Sequence, residues 1–136
     1  MTPASEDESL LLRFDNSTSR RAVVLEDDGR VAYAYLLEEG KIVGDVWLYN
    51  VGPSPDEVDW GRRDAMPFEN PRSLGTDRGT LRLSADSAVN CQWSQEGDVT
   101  VFLDGVALAR LAPGSTPGWS RLAIKDGPLA RPLTDS

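Results

Sequence analysis

Asp45 lies in the run KIVGDVWLYN, with Trp47, Tyr49 and Asn50 following it at strand spacing. A carboxylate among aromatic residues is the kind of group whose pKa rises by desolvation, and glycoside hydrolysis needs such an acid opposite a second carboxyl group. Asp59, Asp64 and Glu69 downstream are the candidates for that second group. No spacing rule ties them to Asp45, so carboxylate-based hydrolysis is the alternative expectation and the sequence leans away from an enzyme. The same cluster also reads as a recognition surface. Trp47, Tyr49 and Trp60 offer flat apolar faces that carry binding energy once desolvated, and Asp45 and Asn50 add hydrogen-bonding groups. Arg62 and Arg63, in WGRRDAMPF, add two guanidinium forks suited to a carboxylate or phosphate, or to neutralising Asp59 and Asp64. These seven residues (Asp45, Trp47, Tyr49, Asn50, Trp60, Arg62 and Arg63) are the candidate binding residues.

Other chemistries lack their parts. The chain has 0 His and 1 Cys, so a Ser-His-Asp or Cys-His pair and the usual zinc and copper ligand sets cannot be assembled. Cys91, in VNCQW, has no neighbouring base and reads as a buried, inert thiol. Asp27 and Asp28 have oxygen ligands for calcium, but a hairpin turn accounts for both and no EF-hand spacing is present. Ser115 and Ser120 have no histidine to activate them. Neither a Walker loop nor a dinucleotide fingerprint occurs. No catalytic residue, metal or cofactor is expected.

The 136 residues include 22 Asp+Glu against 14 Lys+Arg, a formal charge of -8, and residues 1–60 hold 13 of those acids and 5 of the bases. Such a field repels a phosphate backbone and attracts a basic protein, so no nucleic-acid partner is expected. A single cysteine cannot form an intrachain disulfide, which favours a reducing compartment. The start MTPASEDES lacks a basic and apolar leader pattern, and no apolar run has membrane-spanning length. A cytoplasmic location without membrane contact is the expectation, with residues 1–9 as a frayed acidic arm on a single domain.

Period-two alternation and Gly-containing turns must position these residues. They predict an all-β fold, an antiparallel β-sandwich or small barrel of eight to nine short strands. The 10–15 region is a first strand. A hairpin follows, 21–26 against 30–37, with a three-residue loop pairing Glu26 with Arg30 and Val23 with Tyr33. A second three-residue turn leads into 41–50 and sets Tyr33 against Asp45 and Val31 against Trp47. One face then carries Val31, Tyr33, Tyr35, Val43, Trp47 and Tyr49 around Asp45. The opposite face is also apolar, so this sheet is expected to be covered on both sides. Residues 51–78 hold four prolines and three glycines, alternate poorly, and form one long irregular segment. Further strands are expected at 79–84, 88–94 and 98–103. Asp104-Gly105 should close a two-residue hairpin with 106–111, pairing Leu103 with Val106 and Val101 with Leu108. A last strand is expected at 119–124.

The function that follows is a small acidic binding module for protein partners, like inhibitors and immunity-type proteins in charge and size only. A carbohydrate or small-molecule binding domain is one alternative. A structural subunit that pairs with its own chain in a homodimer or larger homo-oligomer is another.

Overall fold

The apolar runs become strands that divide between two sheets, as seen in a computed structural model that describes residues 10–79, 81–84 and 86–134. The arm expected at 1–9 lies outside the described residues. In the first sheet β1 (Leu10–Asp15), β2 (Arg21–Asp27), β3 (Val31–Glu38) and β4 (Lys41–Asn50) run as an antiparallel meander. The second sheet follows chain order through β5 (Val89–Trp93), β6 (Val99–Leu103), β7 (Val106–Leu111), β8 (Trp119–Ser120) and β9 (Arg131–Pro132). Only β8 and β9 are parallel neighbours among these strands. The sheets do not close into a barrel, so the arrangement is sandwich-like.

One apolar cluster joins the sheets. Val23, Leu25, Ala34, Leu36, Val46 and Leu48 of the first sheet meet Val99, Val101, Leu108 and Leu111 of the second. Each such Val or Leu stabilises the fold by about 1.5–3 kcal/mol relative to an exposed position. β4 lies against β7 and β8, and its outer edge is bonded as well. The Asp45 N–H donates to Ser115 O (3.1 Å), the Trp47 N–H to Leu129 O (2.9 Å), and the Gly118 N–H to Asp45 O (2.7 Å).

The turns set registers that differ from the expected ones. The β2–β3 loop is Gly29-Arg30, with Gly29 at φ 88, and it pairs Glu26 with Tyr33 and Val24 with Tyr35. Glycine at positive φ in the first loop position is the two-residue II′ pattern. Asp28 Oδ1 stabilises that loop by accepting from the Arg30 and Val31 amides (2.9 Å each). Glu39-Gly40 is likewise a two-residue loop, with both residues at positive φ, the geometry that twists with a hairpin. Two register shifts in β3–β4 then set Tyr35 against Asp45, Tyr33 against Trp47, and Ala32 against Tyr49. Tyr33, Tyr35, Asp45 and Trp47 share the outer face as expected, while the shift carries Tyr49 to the other side. The Asp104-Gly105 hairpin pairs Leu103 with Val106, but a shift sets Val101 against Ala109 instead of Leu108.

Two expected strands are replaced. Residues 81–84 are not strand, because their backbone groups are taken by side chains: Tyr49 Oη accepts the Leu83 N–H, and Arg78 donates to Leu81 O. The last strand is cut to Trp119–Ser120, after which residues 121–124 leave the sheet. There the Thr76 N–H bonds Leu122 O and the Ile124 N–H bonds Leu74 O, tying this stretch to the irregular segment.

Candidate functional site

Asn50 is the last residue of β4, and its buried amide bonds four groups. Its Oδ1 accepts from Trp47 Nε1 (2.8 Å) and from the Asn70 N–H (2.9 Å). Its Nδ2 donates to Asn70 O (2.7 Å) and Ser54 Oγ (3.2 Å). One side chain thus clamps both arms of the irregular segment to the sheet end and fixes the Trp47 indole. The clamp needs a bare backbone at Gly75, because a Cβ there would lie 2.6 Å from Trp47 Cη2.

A second buried network lies at Tyr49. Its Oη donates to Asp27 Oδ2 (2.6 Å) and accepts from the Leu83 N–H (2.8 Å), while Arg82 Nε reaches the same Asp27 oxygen at 3.3 Å. Burial, then the bond to Asp27, pushes the Tyr49 phenol pKa well up, so it is a neutral donor. Trp47, Tyr49 and Asn50 are therefore brought together as structural residues. All three are buried and present no face to a partner.

The surface beside them is built on the buried Tyr33. Tyr33 donates from Oη to Phe68 O (2.7 Å) and stacks on Tyr35 with ring centres 6.0 Å apart. Phe68 meets Trp60 edge-on at 5.3 Å. Tyr35 stands directly opposite Asp45. An unbroken chain of contacts thus runs from Asp45 through Tyr35, Tyr33 and Phe68 to Trp60. Trp60 is 41% exposed and Met66, nearby in sequence, is 61% exposed.

The Asp45 end of this ridge is negative, with Glu26 and Asp28 acting on Tyr35 alongside Asp45. Burial raises the pKa of the half-buried Asp45 carboxyl, and among the described residues no cation forms an ion pair with it. Burial first, then the fields of Glu26, Asp45 and Asp28, push the Tyr35 phenol up to about 12. At the other end Arg30 bonds Pro67 O (2.5 Å) and Glu69 (3.4 Å), holding the segment against the hairpin.

The remaining sequence candidates divide. The fully exposed Arg62 is occupied by Asp64 at 2.6 Å, a bond that raises the arginine's pKa and lowers the aspartate's. Arg63 opens a single 3-10 turn (Arg63–Ala65) and its side chain is exposed. The carboxylates proposed to work with Asp45 are engaged elsewhere: Asp59 caps the Gly61 N–H, Asp64 holds Arg62, and Glu69 meets Arg30. Burial pushes the Cys91 thiol up to about 11, far from nucleophilic use at neutral pH. Among the described residues no group of His, Cys, Asp and Glu is placed to hold a metal ion. Ser115 Oγ and Ser120 Oγ are both bonded to backbone carbonyls.

Sequence reasoning did not assign Tyr33, Tyr35 and Phe68 to the site. The signal for the tyrosines was present, since they alternate on the strand face that carries Asp45. Phe68 carried none, because only the fold brings it to Tyr33. No family model, no curated protein and no solved structure matches this chain.

Proposed function

We propose that the chain is a binding module for a basic protein surface, using the ridge from Asp45 to Trp60 as its contact face. The observation that carries this reading is Asp45 itself. A half-buried carboxylate without a cation costs stability, and a partner's arginine or lysine would supply the missing charge beside the Tyr35 ring. Tyr35 and Trp60 provide rigid aromatic area, which loses little side-chain freedom on binding. The formal charge of -8 would speed encounter with a basic partner and make association salt-sensitive. The lone, unreactive Cys91 suits a cytoplasmic setting.

Two substitutions test the assignment. With the partner recovered by pull-down at low salt, Trp60→Ala and Asp45→Asn should each weaken binding tenfold or more, and raised salt should weaken it further. Asp45→Asn should also raise the thermal midpoint at neutral pH. The sign follows from linkage: a carboxyl whose folded pKa exceeds its unfolded value binds protons more tightly when folded, so its ionised form is a burden above that folded pKa. The gain should shrink as pH falls towards the unfolded value. A variant that gains stability and keeps full affinity would show that Asp45 lies outside the contact.

A further inference from the structure

A cavity of about 380 Å³ opens on a different part of the molecule, between Arg78, Leu81 and Arg82, the β6–β7 hairpin and residues 121–122. Its apolar lining is Leu81, Leu103, Val106 and Leu122. Val106 remains 41% exposed although it is paired in a hairpin, so the wall it forms is unfilled. The volume falls in the range of small-molecule sites and admits about a dozen non-hydrogen atoms at roughly 30 Å³ per water-sized group.

The rim carries the opposite sign to the chain as a whole. Arg78, Arg82 and Arg121 line it, with Asp104 the one carboxylate among the lining residues. Two of these guanidiniums are fixed in place by the fold. Arg82 is held by the buried Asp27, and Arg78 is held by the carbonyls of Val51 (2.9 Å), Gly79 and Leu81 (3.4 Å each). Carbonyls orient a guanidinium without neutralising it, and among the described residues no carboxylate forms an ion pair with Arg78. The result is a preorganised cation above an apolar floor. Asp27 offsets Arg82 and Asp104 stands on the same rim, so a single negative charge, matched to Arg78, suits the site better than a double one.

We propose that this cavity binds a small molecule carrying one carboxylate on an apolar body. The carboxylate would face Arg78 and Arg121, where charge-assisted bonds to a planar fork are strongest, and the body would lie on Leu81, Leu103, Val106 and Leu122. This site is separate in chemistry from the acidic ridge, and it would survive rejection of the ridge.

Octanoate is the probe, titrated into the isotope-labelled protein while backbone amide resonances are followed. Saturable shifts are expected at Leu81, Leu103, Val106 and Leu122. Octanol should bind at least tenfold more weakly, and octylammonium should not shift these amides. Val106→Asp should lower octanoate affinity tenfold or more, and Arg121→Ala about fivefold. Both positions are exposed, and the amide spectrum reports whether each variant keeps its fold. If Val106→Asp does not fold, Arg121→Ala decides alone. Absence of saturable shifts at these amides, equal binding of octylammonium, or full affinity in a folded variant would overturn the assignment. Tighter binding of octyl phosphate would overturn the single-charge preference.

Discussion

Asn50 can accept two hydrogen bonds and donate two, and all four are made inside the protein. Asn50→Ala would leave the Trp47 indole N–H and the Asn70 amide buried without acceptors. At about 1–3 kcal/mol for each unsatisfied group, a loss of about 2–6 kcal/mol in urea denaturation is expected, with a red-shifted tryptophan emission as the segment lifts. An unchanged midpoint would show that water replaces the clamp without loss. The sequence marked Trp47, Tyr49 and Asn50 as special, and they are, but it could not say towards what. Their polar tips bond Asn70, Ser54, Asp27 and Leu83, and nothing local in KIVGDVWLYN reveals whether a polar tip turns inward or to a partner. Trp60, 41% exposed, sits in a stretch with no alternation, so the sequence left open whether it packs or faces outward.

At the scale of elements, alternation and turn chemistry were enough to find β1 to β7, and β4 has the bounds the sequence suggests. Register was not legible. It depends on which turn residue takes positive φ, and moving the loop to Gly29-Arg30 slides every β2–β3 pair by an odd number of residues, which turns Val23 from the Tyr33 face to the Leu36 face. Residues 81–84 failed as a strand because side chains, which propensity does not weigh, claimed their backbone groups. The irregular segment behaves as a fitted cover for the outer sheet face. Gly75→Ala tests this fit, since the new methyl must displace the Trp47 ring or the segment. A destabilisation of about 1–3 kcal/mol is expected by chemical denaturation. A neutral result would mean that the cover slides freely over the indole.

For the whole molecule, buried phenols set the alkaline limit. Burial is the leading cause that raises the pKa values of Tyr33, Tyr35 and Tyr49, with Tyr35 pushed up to about 12. In the unfolded chain these groups lose their protons near pH 10. Above that pH the folded state holds more protons than the unfolded one, so stability falls as pH rises. Tyrosinate absorbance should therefore appear together with loss of circular dichroism in an alkaline titration. Tyrosinate formed below pH 10 with the dichroism intact would contradict the burial of these rings.

The bonds along the outer edge of β4 also bear on how copies of the chain meet. A sheet of this kind ordinarily exposes two bare rims, and each can template growth into an aggregate. Here the stretch from Gly114 to Leu129 already occupies one rim, with Gly114, Ser115, Gly118 and Leu129 all bonded to β4. Among the described residues the other rim of the first sheet is β1, where the outward Arg13 and Asp15 pair at 3.1 Å. Charges on that ribbon oppose strand addition, so the sheet that carries Asp45 is guarded at this rim against edge-to-edge growth.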